Sequence, residues 1–301
     1  MVSRPATDQN DPGGPRRPIS VRTYAALDRL AQAFGRGRLG FLMVVGQGGL
    51  GKTRAFRAAV GPNALWVEGH ATAAGLYRSL WERRDRLVVI DDVDAVAAEP
   101  ASVRLLRCLC QTEDRKRLAW DTEAPFLRRA NIPREFTTAS KVCLILNGWQ
   151  ARSPQVRALE DRATLAEFAP PPAEVHARAA AWFFDQEIYD WIGERLELAG
   201  RLSQRQYRRA WELKADGLDW QEALLCEWGA GDELIEVARL LRDLSYECEE
   251  DRVWAFRQAG HGSRATYYAL KKRLQPAGGA PRATLTAKPP LPDWETAILL
   301  D

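Results

Sequence analysis

The first 170 or so residues predict an α/β fold built on a parallel sheet, and the rest predicts helices alone. Three observations carry this reading. Short apolar runs alternate with stretches of helical periodicity between about residues 21 and 170. Two of those runs, 87–90 and 142–146, show no polar alternation, as expected of strands covered on both faces by helices. Beyond Ala169-Pro-Pro-Pro172, a stiff boundary, no run has strand character.

Taken in order, residues 1–20 are rich in proline and glycine and poor in large apolar side chains, which predicts a flexible tail. A helix follows Ser20, with Val21, Tyr24, Leu27, Leu30 and Ala31 at helical spacing and a stop at Gly35-Arg-Gly37. Strands are expected at 41–45, 64–67, 87–90, 142–146 and 165–168, so 21–171 reads as one α/β domain. Residues 172–245 read as a helical region with helices over 174–198, 203–216 and 232–245. A small basic helical segment spans 246–275, and 276–301 returns to proline, glycine and alanine as a flexible tail.

Composition excludes several classes. The 301 residues are 46% hydrophobic and 28% charged, an ordinary globular balance that rules out wholesale disorder or a fibre. No apolar run approaches the ~20 residues that cross a bilayer, and the first residues have no apolar core of a secretory signal. The five cysteines and three histidines are scattered, without the pairing of a structural zinc site or a disulfide framework. The expectation is a reduced, cytoplasmic protein. A net charge of +3 decides nothing by itself.

The strongest motif is Gly46-Gln47-Gly48-Gly49-Leu50-Gly51-Lys52-Thr53, which matches G-x-x-x-x-G-K-[ST] between an apolar run and a helical stretch. Glycines let successive backbone N–H groups turn inward around phosphate oxygens. The helix that follows presents its positive end to them. Lys52 can reach the β- and γ-phosphates of ATP, and the Thr53 hydroxyl can ligate Mg²⁺. The run at 87–90 ends in Asp91-Asp92-Val-Asp94. Asp91 is expected to hold Mg²⁺ through water and Asp92 to polarise the attacking water.

These residues resemble those of P-loop NTPases, and further positions resemble the AAA+ family. Asn147, at the end of the run 142–146, matches the polar residue that contacts the γ-phosphate or attacking water (sensor 1). Arg162, in Ala158-Leu-Glu-Asp-Arg162, resembles the arginine that reaches a neighbouring subunit's ATP in clamp loaders and helicase loaders. The region after residue 172 resembles the family's helical lid. Arg205 is its candidate sensor 2 arginine, with Arg208 and Arg209 as competitors. The resemblance covers about residues 20–245. The glycine-rich and acidic motifs also resemble those of STAND-class signalling NTPases, although those carry a Thr-Arg pair where this chain has Asn147-Gly148.

Between Arg252 and Leu274 lie six Arg or Lys residues and no acid, in the order short helix, glycine turn, serine-capped helix. This resembles a helix-turn-helix, whose second helix enters the major groove. Val253, Phe256, Tyr267, Leu270 and Leu274 would pack inward. Ser263, Arg264 and Tyr268 are candidates for base contacts and Lys271, Lys272 and Arg273 for phosphates. The AAA+ resemblance also implies a DNA-contacting region around Glu113 and Trp120, in a stretch of Arg and Lys.

The resemblance therefore implies an ATP- and Mg²⁺-dependent AAA+ ATPase that assembles as a homo-oligomer on DNA, duplex by preference, away from membranes. Replication initiation, helicase loading and transposition are the implied processes, with a helicase, transposase or other replication protein as partner. The alternatives are a STAND-like nucleotide switch and a DNA-binding regulator that uses ATP only for assembly.

Overall fold

The computed structural model describes residues 17–69, 71–91, 99–120, 125–148 and 159–274, apart from the Phe126 side chain. Its elements, in chain order, begin with β1 (Ile19–Val21), α1 (Tyr24–Gly35), β2 (Phe41–Gly46), α2 (Lys52–Val60), β3 (Leu65–Val67), α3 (Ala73–Glu82) and β4 (Val88–Asp91). There follow α4 (Pro100–Leu109), β5 (Lys116–Ala119), α5 (Pro125–Arg129), β6 (Glu135–Thr138), β7 (Val142–Leu146) and β8 (Thr164–Phe168). The remainder is helical: α6 (Pro172–Ala179), α7 (Gln186–Gly193), α8 (Gln204–Ala215), α9 (Trp220–Trp228), α10 (Asp232–Arg242), α11 (Glu249–Gln258) and α12 (Arg264–Arg273).

The α/β expectation holds. Six strands form one sheet in the order β1-β8-β2-β7-β4-β3, and β2, β7, β4 and β3 run parallel. All residues of β2 and β7 are buried, which explains why both are written as unbroken apolar runs. The register sets Val45 beside Leu146 and Ile145 beside Asp91, so three strands end together at the carboxyl edge.

Contacts divide the chain into two units. The first contains Leu39–Val45 and Ala64–Glu167, with the sheet's central strands at its heart. Its core joins Met43, Val45, Ile90 and Leu144 to Tyr77 and Leu80 of α3 and Leu106 and Leu109 of α4. Glu99 ties two helix starts together there, accepting from the Ala73 amide at 2.7 Å and from Ser102 Oγ at 3.3 Å. The second unit contains Val21–Arg38, Gly46–Asn63 and the described residues from Phe168 on. In it α1 lies so close to α2 that a side chain at Gly35 would come within 2.3 Å of the Ala59 carbonyl.

Three local features differ from the sequence reading. Ile19–Val21, assigned largely to a tail, is an edge strand of the sheet. The basic stretch after Gln111 contains a strand, β5, which pairs antiparallel with β6. Alternation there is masked because an inward residue is a lysine: Lys116 is buried and its Nζ donates to the Ser140 carbonyl at 2.7 Å. The single helix expected over 174–198 is two, α6 and α7. The break occurs because Asp185 starts a new helix, accepting from the Ile188 amide at 3.1 Å and pairing with Lys214 at 2.8 Å.

Candidate nucleotide site and basic helices

The phosphate-loop candidate begins where β2 ends. Gly46 has no room for a side chain, since a Cβ there would lie 2.5 Å from the Phe168 carbonyl oxygen. Gly49 and Gly51 adopt φ of +73° and +75°, a region that L side chains enter only at a cost. Gly51 is the N-cap of α2 and makes no side-chain cap, so the helix starts at Lys52 with its positive end at the loop. Leu50 anchors the loop by being buried. Lys52 and Thr53 are only 4% and 5% exposed. The Lys52 ammonium points back into the loop and donates to the carbonyls of Gly46 at 2.9 Å and Gln47 at 2.8 Å. A buried ammonium, a helix N-terminus and glycine-permitted backbone turns thus converge on one small cradle. Their chemistry fits a polyphosphate.

The start of α8 lies on the same loop. The Gln204 amide donates to the Gly49 carbonyl at 2.9 Å, and the Gln204 side chain donates to Tyr24 Oη at 3.1 Å. A Cβ on Gly49 would meet Arg205 Cγ at 3.0 Å, so the Arg205 stem covers that glycine. Its two competitors are engaged elsewhere: Arg208 pairs with Glu212 at 2.5 Å, and Arg209 pairs with Glu227. Ser203 caps α8 with a capping box that includes Gln206. Tyr24 is in turn held by α6, because its amide donates to Glu174 Oε1 at 2.9 Å. Sequence reasoning did not find Gln204, whose only signal was its place next to Arg205 after a serine cap.

The other nucleotide-related candidates lie in the first unit. Asp91 is half-buried at the end of β4, and Asn147 is exposed directly after β7. Asp92 and its neighbour Asp94 lie outside the described residues. Arg162 is exposed and donates from Nη1 to the Arg107 carbonyl at 3.2 Å.

The C-terminal helices α10, α11 and α12 close around Val237, Leu240, Val253, Phe256 and Tyr267, with Leu270 and Leu274 packed against them. The inward positions match those expected from the sequence. Gly260 and Gly262, with φ of +79° and +130°, make the turn into α12, and Ser263 caps that helix from Thr266. The outward basic residues are less free than the sequence implied. Arg264 pairs with Glu250 at 2.7 Å and stacks over Tyr268, and Lys271 pairs with Glu249 at 2.6 Å. Arg273 donates to the Gly229 carbonyl at 3.1 Å. Lys272 is exposed.

No family model matches the chain. It is similar to an uncharacterized 36.7 kDa protein in the nrdC-mobD intergenic region of Enterobacteria phage T4, 28% identical over 120 residues that cover 37% of each chain. The chain thus matches just over a third of that relative's length. Among solved structures it is similar to a mutant of RuvB from Thermotoga maritima. The TM-score is 0.42 and the identity 12%, with 73% of this chain and 77% of the other covered.

Proposed function

We propose that this chain binds ATP with Mg²⁺ on the loop Gly46–Thr53, hydrolyses it, and uses the cycle to act on DNA as a homo-oligomer of the AAA+ type. The observation that carries the reading is the loop. Two left-handed glycines, a crowded Gly46 and a nearly buried Lys52-Thr53 pair at a helix start are what a triphosphate cradle requires.

In this reading the loop amides and Lys52 hold the β- and γ-phosphates. Thr53 and Asp91 hold Mg²⁺, which when bound neutralises charge on the phosphate oxygens. Asp92 accepts the proton of the attacking water and Asn147 orients that water. Arg205, lying over Gly49, senses the phosphates from α8. Arg162 completes a neighbouring copy's site. The cluster α10–α12 supplies the DNA-binding surface through Ser263, Arg264, Tyr268, Lys271, Lys272 and Arg273. A helicase, transposase or other replication protein is the partner class.

Steady-state ATP hydrolysis, measured with and without duplex DNA across protein concentration and salt, tests this. Turnover should rise with DNA and more than linearly with protein. Asp92→Asn should abolish turnover and keep ATP binding. Turnover indifferent to both DNA and protein concentration would favour a nucleotide switch instead.

A further inference from the structure

We propose that a cavity between α4 and β5 binds a small phosphate-bearing molecule, at a site that shares no residue with the glycine loop. The cavity has a volume of about 740 Å³, within the ~300–1,000 Å³ typical of small-molecule sites. Four arginines line it, Arg104, Arg107, Arg117 and Arg162, and among the described residues none that lines it is acidic. Its remaining wall is mainly apolar and includes Cys108 and Trp120.

The arrangement of the arginines is specific. Arg104 and Arg107 are one turn apart on α4, so they share a face. Both are exposed, and among the described residues neither side chain is hydrogen-bonded or ion-paired. Arg117 is held on the hairpin by Glu135, and Arg162 is held at the rim by the Arg107 carbonyl. Two guanidinium groups are therefore positioned by the protein and two are available. Like charges gathered around one concavity repel each other, and an anion placed among them removes that cost. Planar guanidinium forks suit the oxygens of a phosphate, and several forks suit a group carrying more than one negative charge. The concave, partly apolar wall favours a small molecule over a polymer backbone.

The test uses the full-length chain carrying Lys52→Ala, which removes the ammonium of the glycine loop from every copy. The probe is inorganic tripolyphosphate, followed by titration calorimetry and by mass spectrometry of Cys108 alkylation. Cys108 is half-buried in the cavity, whereas the exposed Cys226 lies elsewhere in the chain and serves as the internal control. Tripolyphosphate should bind this variant and slow alkylation of Cys108 while leaving that of Cys226 unchanged. Adding Arg104→Gln and Arg107→Gln should weaken binding by about tenfold or more and remove the protection, since each charged hydrogen bond contributes a comparable factor. The unfolding midpoint should stay the same, because both side chains are exposed. Absence of binding in Lys52→Ala would overturn the proposal, as would binding that survives the arginine changes. Protection by ATP only in the chain with Lys52 intact would also overturn it, because a neighbouring copy's loop would then be delivering the phosphates. So would affinity for a single-stranded oligonucleotide without affinity for tripolyphosphate.

Discussion

Gly49 shows how little freedom a single residue of this site has. Its φ of +73° and the Arg205 stem 3.0 Å from any added Cβ oppose substitution for separate reasons. Gly49→Ala should cost roughly 1–2 kcal/mol from the backbone alone, and fluorescent-nucleotide titration should show a large loss of affinity. His176 gives a second residue-scale prediction. It is buried, stacks on Tyr189 at 3.9 Å between ring centroids, and shares a 2.7 Å hydrogen bond with Tyr207 Oη. Burial pushes its pKa down from 6.5 to about 4, against a smaller opposing pull from Asp190. Between these values the unfolded chain binds a proton that the folded chain refuses. This contribution to stability is therefore fully present above about pH 6.5 and is lost as the pH falls towards 4. Urea midpoints should drop over that window, and His176→Gln should flatten the slope. At this scale the sequence could name the loop, because its chemistry is written in consecutive residues. It offered Arg205 with Arg208 and Arg209 as competitors, but it did not show that the Arg205 stem covers Gly49, more than 150 positions earlier in the chain.

Helix α12 carries the clearest prediction among the elements. Its basic face is partly neutralised by α11: Glu249 accepts from both Lys271 and Tyr267 Oη, and Glu250 holds Arg264. If this face meets DNA, those carboxylates compete with phosphates. Glu249→Gln combined with Glu250→Gln should then strengthen duplex binding and steepen its salt dependence. Lys272→Glu should weaken it. Fluorescence anisotropy at two salt concentrations checks both. The sequence revealed the inward side of α12 through Tyr267, Leu270 and Leu274, because helical spacing reports burial directly. It did not reveal the pairings, because the acids at 247–251 look like a separate run until α11 and α12 fold against each other. The sheet shows the same contrast. Doubly covered strands such as β2 and β7 stood out, while β1 has three residues and β5 buries a lysine, and both were hidden.

At the level of the whole molecule, the chain does not divide where its pattern changes. The sequence places a boundary near residue 171, with α1 and the glycine loop on the α/β side. By contacts, Val21–Arg38 and Gly46–Asn63 group with the described residues after Glu167. Within that unit Tyr24 meets Glu174 and Gln204 meets Gly49, distant polar contacts that no local periodicity announces. A fragment ending at Glu167 would strand α1, α2 and the loop without the helices of their own unit. It should show no cooperative thermal transition and no ATP binding, whereas the full chain should show both. Circular dichroism and nucleotide titration check both expectations.

The bond from the Gln204 amide to the Gly49 carbonyl gives that unit an internal reporter. One proton, carried by a helix start, exchanges with solvent only when the loop lets go of it. Deuterium uptake at this position should therefore slow when the loop is rigidified by what it holds. The occupancy of the cradle would then be readable from a peptide that contains none of its glycines.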